Sequence, residues 1–153
     1  MREFVAALKT KSQILSNSYV TALADGSFDR EDFVETQIQF FFAVVFFSRP
    51  MMALAGRLPR AEMRLGILDN VYDEHGHGKL RLSHERTFLS LLARLGVPLE
   101  DIERRALWPC VRQFNTTLAG VCSLDDTFTA IATLGFIEDC FATLSSKVGK
   151  GIV

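Results

Sequence analysis

The stretch that decides the fold reads Ile67-Leu-Asp-Asn-Val-Tyr-Asp-Glu-His-Gly-His-Gly-Lys-Leu-Arg-Leu-Ser-His-Glu85. On a helical template Ile67, Val71 and Glu74 share one face, at spacing i, i+4, i+7. Gly76-His-Gly78-Lys79 then breaks the pattern. Ser83 looks like the cap of a new helix, in which His84, Phe88, Leu91 and Leu95 share a face. The segment is therefore a helix, a glycine corner and a second helix. Glu74 ends the first and His84 begins the second, and such a corner can bring both side chains to one point.

Working outward, helical periodicity continues in both directions. Downstream, Gly96 closes the helix from His84 to Leu95, and a short helix near Leu99–Ala106 follows. Another runs from about Pro109 to Val121. Asp125 or Asp126 caps the last helix, which carries Glu138 and fades at Gly149-Lys-Gly151. Upstream, Pro59 is expected to open the helix that runs to about His75. Before it lies a phenylalanine-rich helix, capped by Asp29 with Glu31 and Asp32 in its first turn. That helix is expected to bend or break at Pro50 and to end near Gly56. A first helical stretch, broken near Ser16–Asn17, reaches Ala24 and stops at Asp25-Gly26. No alternating β-branched run reads as a strand. The sequence predicts one all-α domain over residues 1–153, an up-and-down helical bundle.

Composition narrows the function. A chain of 153 residues buries roughly 70% of its unfolded surface. The net charge is −1 with basic residues spread along the chain, which speaks against a nucleic-acid partner. The greasiest run, Ile38 to Phe47, is too short for a membrane span and reads as the central helix of a bundle. Cys110, Cys122 and Cys140 have no CxxC spacing and read as buried small hydrophobes. The start, Met1-Arg-Glu-Phe4, lacks a signal-peptide core, so a reducing cytoplasm is the expected compartment.

Three ionisable residues fall where a helix would place leucines. Glu74 and His84 lie on the faces given above. Glu138 lies with Ile131, Leu134, Gly135, Phe141 and Ala142. A carboxylate aimed into a core without a partner costs several kcal/mol. Two carboxylates and an imidazole so placed suggest a metal between them. Bundles build di-iron sites in this way, and the donor types suit iron or manganese. The competing reading has Glu74 fraying into solvent, His84 lying in its first turn, and Glu138 as a hydrogen-bonded core carboxyl. His75 and His77 form an HxH pair, which on a glycine-rich turn more often stays in solvent. Gln37 and Gln39 read as hydrogen-bonded core polar groups.

These residues carry a resemblance. Asn70-Val-Tyr-Asp-Glu-His-Gly-His-Gly78, Ser83-His-Glu85 and Leu91-Leu-Ala-Arg-Leu-Gly96 resemble the central motif of the haem-oxygenase-like di-iron oxidases, also called iron-containing redox enzymes. Tyr19-Val-Thr-Ala-Leu-Ala-Asp-Gly26 is similar to the N-terminal helices of that family, and Leu134-Gly-Phe-Ile-Glu138 to its Gly-x-x-Glu helix. The resemblance implies Glu74 as a carboxylate ligand, His84 as a histidine ligand and Glu138 as the carboxylate bridging two irons. It sets Tyr19 near an aromatic position of the substrate pocket in some members, although packing is the simpler role for that ring; Gln39, Phe42 and Phe46 of the phenylalanine-rich helix are candidate pocket wall or plain core. Family members carry a further helix with a His-x-x-x-Asp-x-x-His set, and this sequence stops at Gly151-Ile-Val153. Half of the ligand set, and a haem-oxygenase-like bundle truncated at its C-terminus, are therefore expected.

The function so implied is dioxygen activation at a non-haem centre of two Fe ions, with Mn as an alternative metal. The substrate would be a small molecule such as an amino acid, amine or fatty acid. A homodimer is expected, through apolar faces left open on the phenylalanine-rich helix and around Ile131, Leu134 and Phe141. Two other readings remain. One is the same fold without di-iron chemistry, as a thiaminase-like hydrolase or a cofactorless oxidase. The other is a non-catalytic helical binding protein.

Overall fold

A 28-residue helix, α3 (Arg30–Arg57), is the longest element. Asp29 starts it, its Oδ1 accepting from the amides of Glu31 at 2.7 Å and Asp32 at 3.2 Å. In the computed structural model the backbone is described for residues 2–13 and 16–151, and side chains for 3–13 and 16–145. Ile152 and Val153, on which the expectation of truncation turned, lie outside the described residues. The elements before α3 are α1 (Arg2–Ser12) and α2 (Ser18–Asp25). After it come α4 (Ala61–Glu74), two 3₁₀ turns (Gly76–Gly78 and Leu80–Leu82), α5 (His84–Arg94), α6 (Leu99–Arg104), α7 (Pro109–Leu124) and α8 (Thr127–Gly151). No strand occurs among the described residues.

Two compact units emerge: Phe33–Thr127, and Met1–Asp32 with Phe128–Val153. In the first, Ile38 and Phe41 of α3 meet Leu92, Val97 and Ile102, and Val34, Phe42, Val45 and Phe88 close around them. Phe88 lies 5.8 Å from the Phe40 ring and 6.0 Å from that of Phe41. The helix runs unbroken through Pro50, contrary to the expected break. A proline inside a helix costs about 3 kcal/mol. Burying a Met or Leu side chain returns about 1.5–3 kcal/mol, and Met51, Leu54 and Leu58 are all buried just beyond it. Packing wins over propensity here.

Polar links tie α3 to its neighbours. Gln39 is 2% exposed. Its Nε2 donates to Glu35 Oε1 at 3.1 Å and to the Ala106 carbonyl at 3.0 Å, and its Oε1 accepts from the Trp108 amide at 2.8 Å. Asn115 Nδ2 donates to the Phe42 carbonyl at 3.2 Å. At the far end Arg57 donates to the Cys122 carbonyl at 2.7 Å and to that of Asp125, satisfying the last carbonyls of α7. Pro59 lies ahead of α4 rather than opening it, because Arg60 (φ −104°, ψ 141°) is the extended N-cap residue.

In the second unit Asn17 caps α2 by accepting from the Val20 amide at 3.0 Å, and Gly26 (φ +75°) ends it. Lys9 of α1 donates to Asp139 Oδ2 at 2.6 Å and to Thr143 Oγ1 at 2.8 Å on α8. By length and composition alone, α3 and the Thr127–Ser145 part of α8 are long and apolar enough to cross a membrane. The expectation from Ile38–Phe47 weighed only the apolar centre of α3, not the whole helix. Cys122 and Cys140 are buried as expected, but Cys110, in the first turn of α7, is exposed. Burial pushes both buried thiols up, against the opposing pull of Arg57 on Cys122 and of Lys9 on Cys140.

Gln39→Ala should lower stability by about 2–4 kcal/mol, since it strands the Trp108 amide and the Ala106 carbonyl in a buried place. Urea unfolding measures this, and an unchanged midpoint would remove Gln39 as a strut. Alkylation of the folded protein by iodoacetamide at neutral pH should mark Cys110 first, with Cys122 and Cys140 reacting only on unfolding. Peptide mass mapping reads the order.

Candidate metal centre

The corner after α4 is held by backbone contact. Gly76 adopts φ +62°, and a Cβ built on it would lie 2.4 Å from the Leu82 carbonyl carbon and 2.5 Å from the Ser83 nitrogen. No side chain fits there, so the end of α4 presses directly on the residues that precede α5. His77 (φ +53°) and Gly78 (φ +75°) continue the left-handed bend. Tyr72 donates to the His77 carbonyl at 3.0 Å, and the Lys79, Leu82 and Ser83 amides close the two 3₁₀ turns. Ser83 is buried; its Oγ donates to the Leu80 carbonyl at 2.8 Å and accepts from the Arg86 amide at 3.3 Å. It caps α5 as predicted.

This corner brings Glu74 and His84 together. Glu74 Oε1 lies 2.9 Å from His84 Nδ1, with the carboxylate side chain 11% exposed and the imidazole 46% exposed. Glu74 is thus turned inward, while His84 occupies the rim rather than the floor of the α5 stripe. His75 and His77 do not converge on a common point. His75 Nδ1 lies 2.7 Å from the Val71 carbonyl, and His77 Nε2 lies 3.0 Å from Asp73 Oδ1.

Glu138 belongs to the other unit, half-buried on α8. The stripe predicted around it is inward only in part. Leu134 is buried, but Gly135, Phe141 and Ala142 are exposed, and α8 buries Ala130, Ala132 and Cys140 instead. Small side chains let a helix approach closely, and a search for large apolar residues passes over them.

The candidate pocket residues divide. Gln39 is the hydrogen-bonded core group that the sequence suggested and not a pocket wall, because its amide engages three protein groups in a buried place. Phe42 packs on the α3 core, and Arg49 stands 5.9 Å over the Phe46 ring. Tyr19 meets Phe28 edge-on at 5.1 Å in the other unit. Asn115 escaped the sequence reading. It is buried, and its Oδ1 has no hydrogen-bond partner among the described residues. Its signal was its place at i, i+3, i+7 with Leu118 and Cys122 on the buried face of α7.

Among the described residues no group of three or more histidine, cysteine or acidic side chains is placed to hold a metal. Glu74 and His84 offer the oxygen and nitrogen donors that suit iron or manganese. They fit one corner of such a centre, and two donors do not complete it.

A family model described as iron-containing redox enzyme matches residues 34–152, about three quarters of the chain. The chain belongs to that family. Its all-α architecture is accordingly haem-oxygenase-like. No curated protein matches the chain. The matched span takes in both sides of the glycine corner, so Glu74 and His84 lie well inside the part shared with the iron-containing redox enzymes.

Gly76→Ala should open the corner. Left-handed strain alone costs about 1–2 kcal/mol, and the backbone clash adds to it. Gly78→Ala is the control, because the nearest atom to its Cβ position is the Tyr72 hydroxyl at 3.8 Å. Thermal unfolding should show a clearly larger loss for Gly76→Ala than for Gly78→Ala. Equal losses would mean that the close approach does not hold the corner.

Proposed function

We propose that this chain is an iron-dependent, dioxygen-activating oxidase or oxygenase of small molecules, with Glu74 and His84 among its metal ligands. The observation that carries this reading is the 2.9 Å approach of Glu74 to His84 across the Gly76 corner, within a chain of the iron-containing redox family. Glu138, in the other unit, is proposed as a further carboxylate ligand for iron. Its support is a half-buried acid on an apolar helix, in the Gly-x-x-Glu register.

Iron bound there would supply the electrons that reduce dioxygen while an amino acid, amine or fatty acid is oxidised. The chain's own residues do simpler work. With Oε1 2.9 Å from His84 Nδ1, the Glu74 carboxylate restrains the ring, and its other oxygen and the imidazole Nε2 would be the atoms that hold the metal. Ser83 and the left-handed turn hold the first residue of α5 in place, so the imidazole does not swing with the helix end. The inward position of Glu74 limits the water that competes for its oxygens.

The thiaminase-like alternative needs a reactive cysteine. Cys122 and Cys140 are buried with their thiols pushed up, which leaves them poor nucleophiles, so that alternative would rest on the exposed Cys110 alone.

Anaerobic ferrous titration followed by elemental analysis tests the proposal. Glu74→Ala and His84→Ala should each weaken iron uptake by about 10–100-fold. His75→Ala and His77→Ala should leave it unchanged. Iron uptake indifferent to Glu74 and His84 would overturn the assignment. Manganese titrated in parallel shows which metal the donors prefer.

A further inference from the structure

Helix α7 lies along α3 and is tied to it at both ends. Gln39 of α3 holds the Ala106 carbonyl and the Trp108 amide just ahead of α7, and Arg57 holds the Cys122 and Asp125 carbonyls at its end. Gln39, Ala43, Phe46, Pro50 and Arg57 fall at i, i+4, i+7, i+11 and i+18, so one face of α3 carries both anchors and what lies between them. Pro50 is buried there, while Ala43 and Phe46 are only half-buried. Asn115 meets this stretch from α7 and is 9% exposed. Its Nδ2 donates to the Phe42 carbonyl at 3.2 Å, which fixes the amide, since the reverse orientation would set two oxygens against each other. Oδ1 is thereby left buried with no hydrogen-bond partner among the described residues. Protein interiors leave few such acceptors, because each carries the full desolvation of its oxygen without return.

We propose that Asn115 Oδ1 anchors a ligand site on the α3–α7 seam, which takes a small neutral aromatic molecule carrying one O–H or N–H donor. The chemistry of the seam selects this class. Ala43 and Phe46 offer apolar surface that the protein covers only in part. A mostly apolar wall with one placed polar atom is how small-molecule sites are built. The Phe46 ring suits a second ring, held edge-on or offset. Oδ1 accepts and cannot donate, so a carboxylate or any other head without a hydrogen leaves it unpaired. Arg49 sets its guanidinium 5.9 Å from the centre of the Phe46 ring and has no ion-pair partner among the described residues, so a cationic head meets like charge. A neutral donor satisfies both groups. The site uses neither Glu74 nor His84, and it does not rest on the iron reading.

Titration calorimetry on the full metal-free chain tests this with phenol, anisole and benzoate, which share a ring and differ in the head. Phenol should bind at least about tenfold more tightly than either of the others, a step of about 1.4 kcal/mol. Asn115→Leu keeps the bulk and removes the acceptor, so it should erase the preference for phenol over anisole. It should also leave the thermal midpoint unchanged or raised, because the unpaired oxygen is gone. Ala43→Leu fills the seam without touching Asn115 and should weaken phenol and anisole alike, which locates the site even where Asn115→Leu does not fold. Four outcomes overturn the inference. Phenol that does not bind leaves Oδ1 with water alone. Phenol that binds no more tightly than anisole or benzoate shows that the donor does not matter. Binding indifferent to Ala43→Leu puts the ligand elsewhere. A preference for phenol that survives in Asn115→Leu, with a lowered midpoint, makes Asn115 a structural strut.

Discussion

The contact between the Gly76 backbone and the Leu82–Ser83 backbone is the constraint on which the rest of this structure depends. Two chain segments meet there with no side chain between them. Such an approach requires glycine on sterics alone, and the positive φ requires it a second time. Because the segments touch, the last residue of α4 and the first of α5 must lie side by side. Glu74 and His84 are those residues. Their 2.9 Å separation follows from the corner as much as from any attraction between them.

A corner this tight needs a rigid support, and α3 provides it. The helix stays continuous through Pro50 because burial on the far side outweighs the lost hydrogen bond. Gln39 and Arg57 fasten it to the start and end of α7 through backbone carbonyls and amides rather than through side-chain pairs. Links of that kind fix helix register, since each buried group has few other partners to choose from. Phe40, Phe41 and Phe88 then seat α5 on α3, and His84 rides at the start of the seated helix.

Inner and outer surfaces of the corner are built from the same two helices. The faces of α4 and α5 that carry Glu74 and Phe88 turn toward the interior, while Leu65 and Leu68 of α4, Leu80 and Arg81 of the second 3₁₀ turn, and Arg86 of α5 turn outward. Anything that occupies the outer faces would brace the corner from behind.

The all-α class, the break near Asn17, the caps at Asp29 and Ser83, and the glycine stops at Gly26 and Gly96 were legible in the sequence because they are local. Cap hydrogen bonds and left-handed φ angles involve residues within four positions of each other. The meeting of Glu74 and His84 was legible for the same reason, being set by a turn of nine residues. Tertiary structure alone decided that Pro50 stays helical, which distant groups Gln39 bonds to, that Cys110 is exposed, and that α8 buries small residues in place of Phe141. Each of these depends on what a distant segment brings to the other side of a helix. A periodic pattern shows that a helix has a buried face, but which residues fill that face, and what they touch, is settled only by the partner that packs against it.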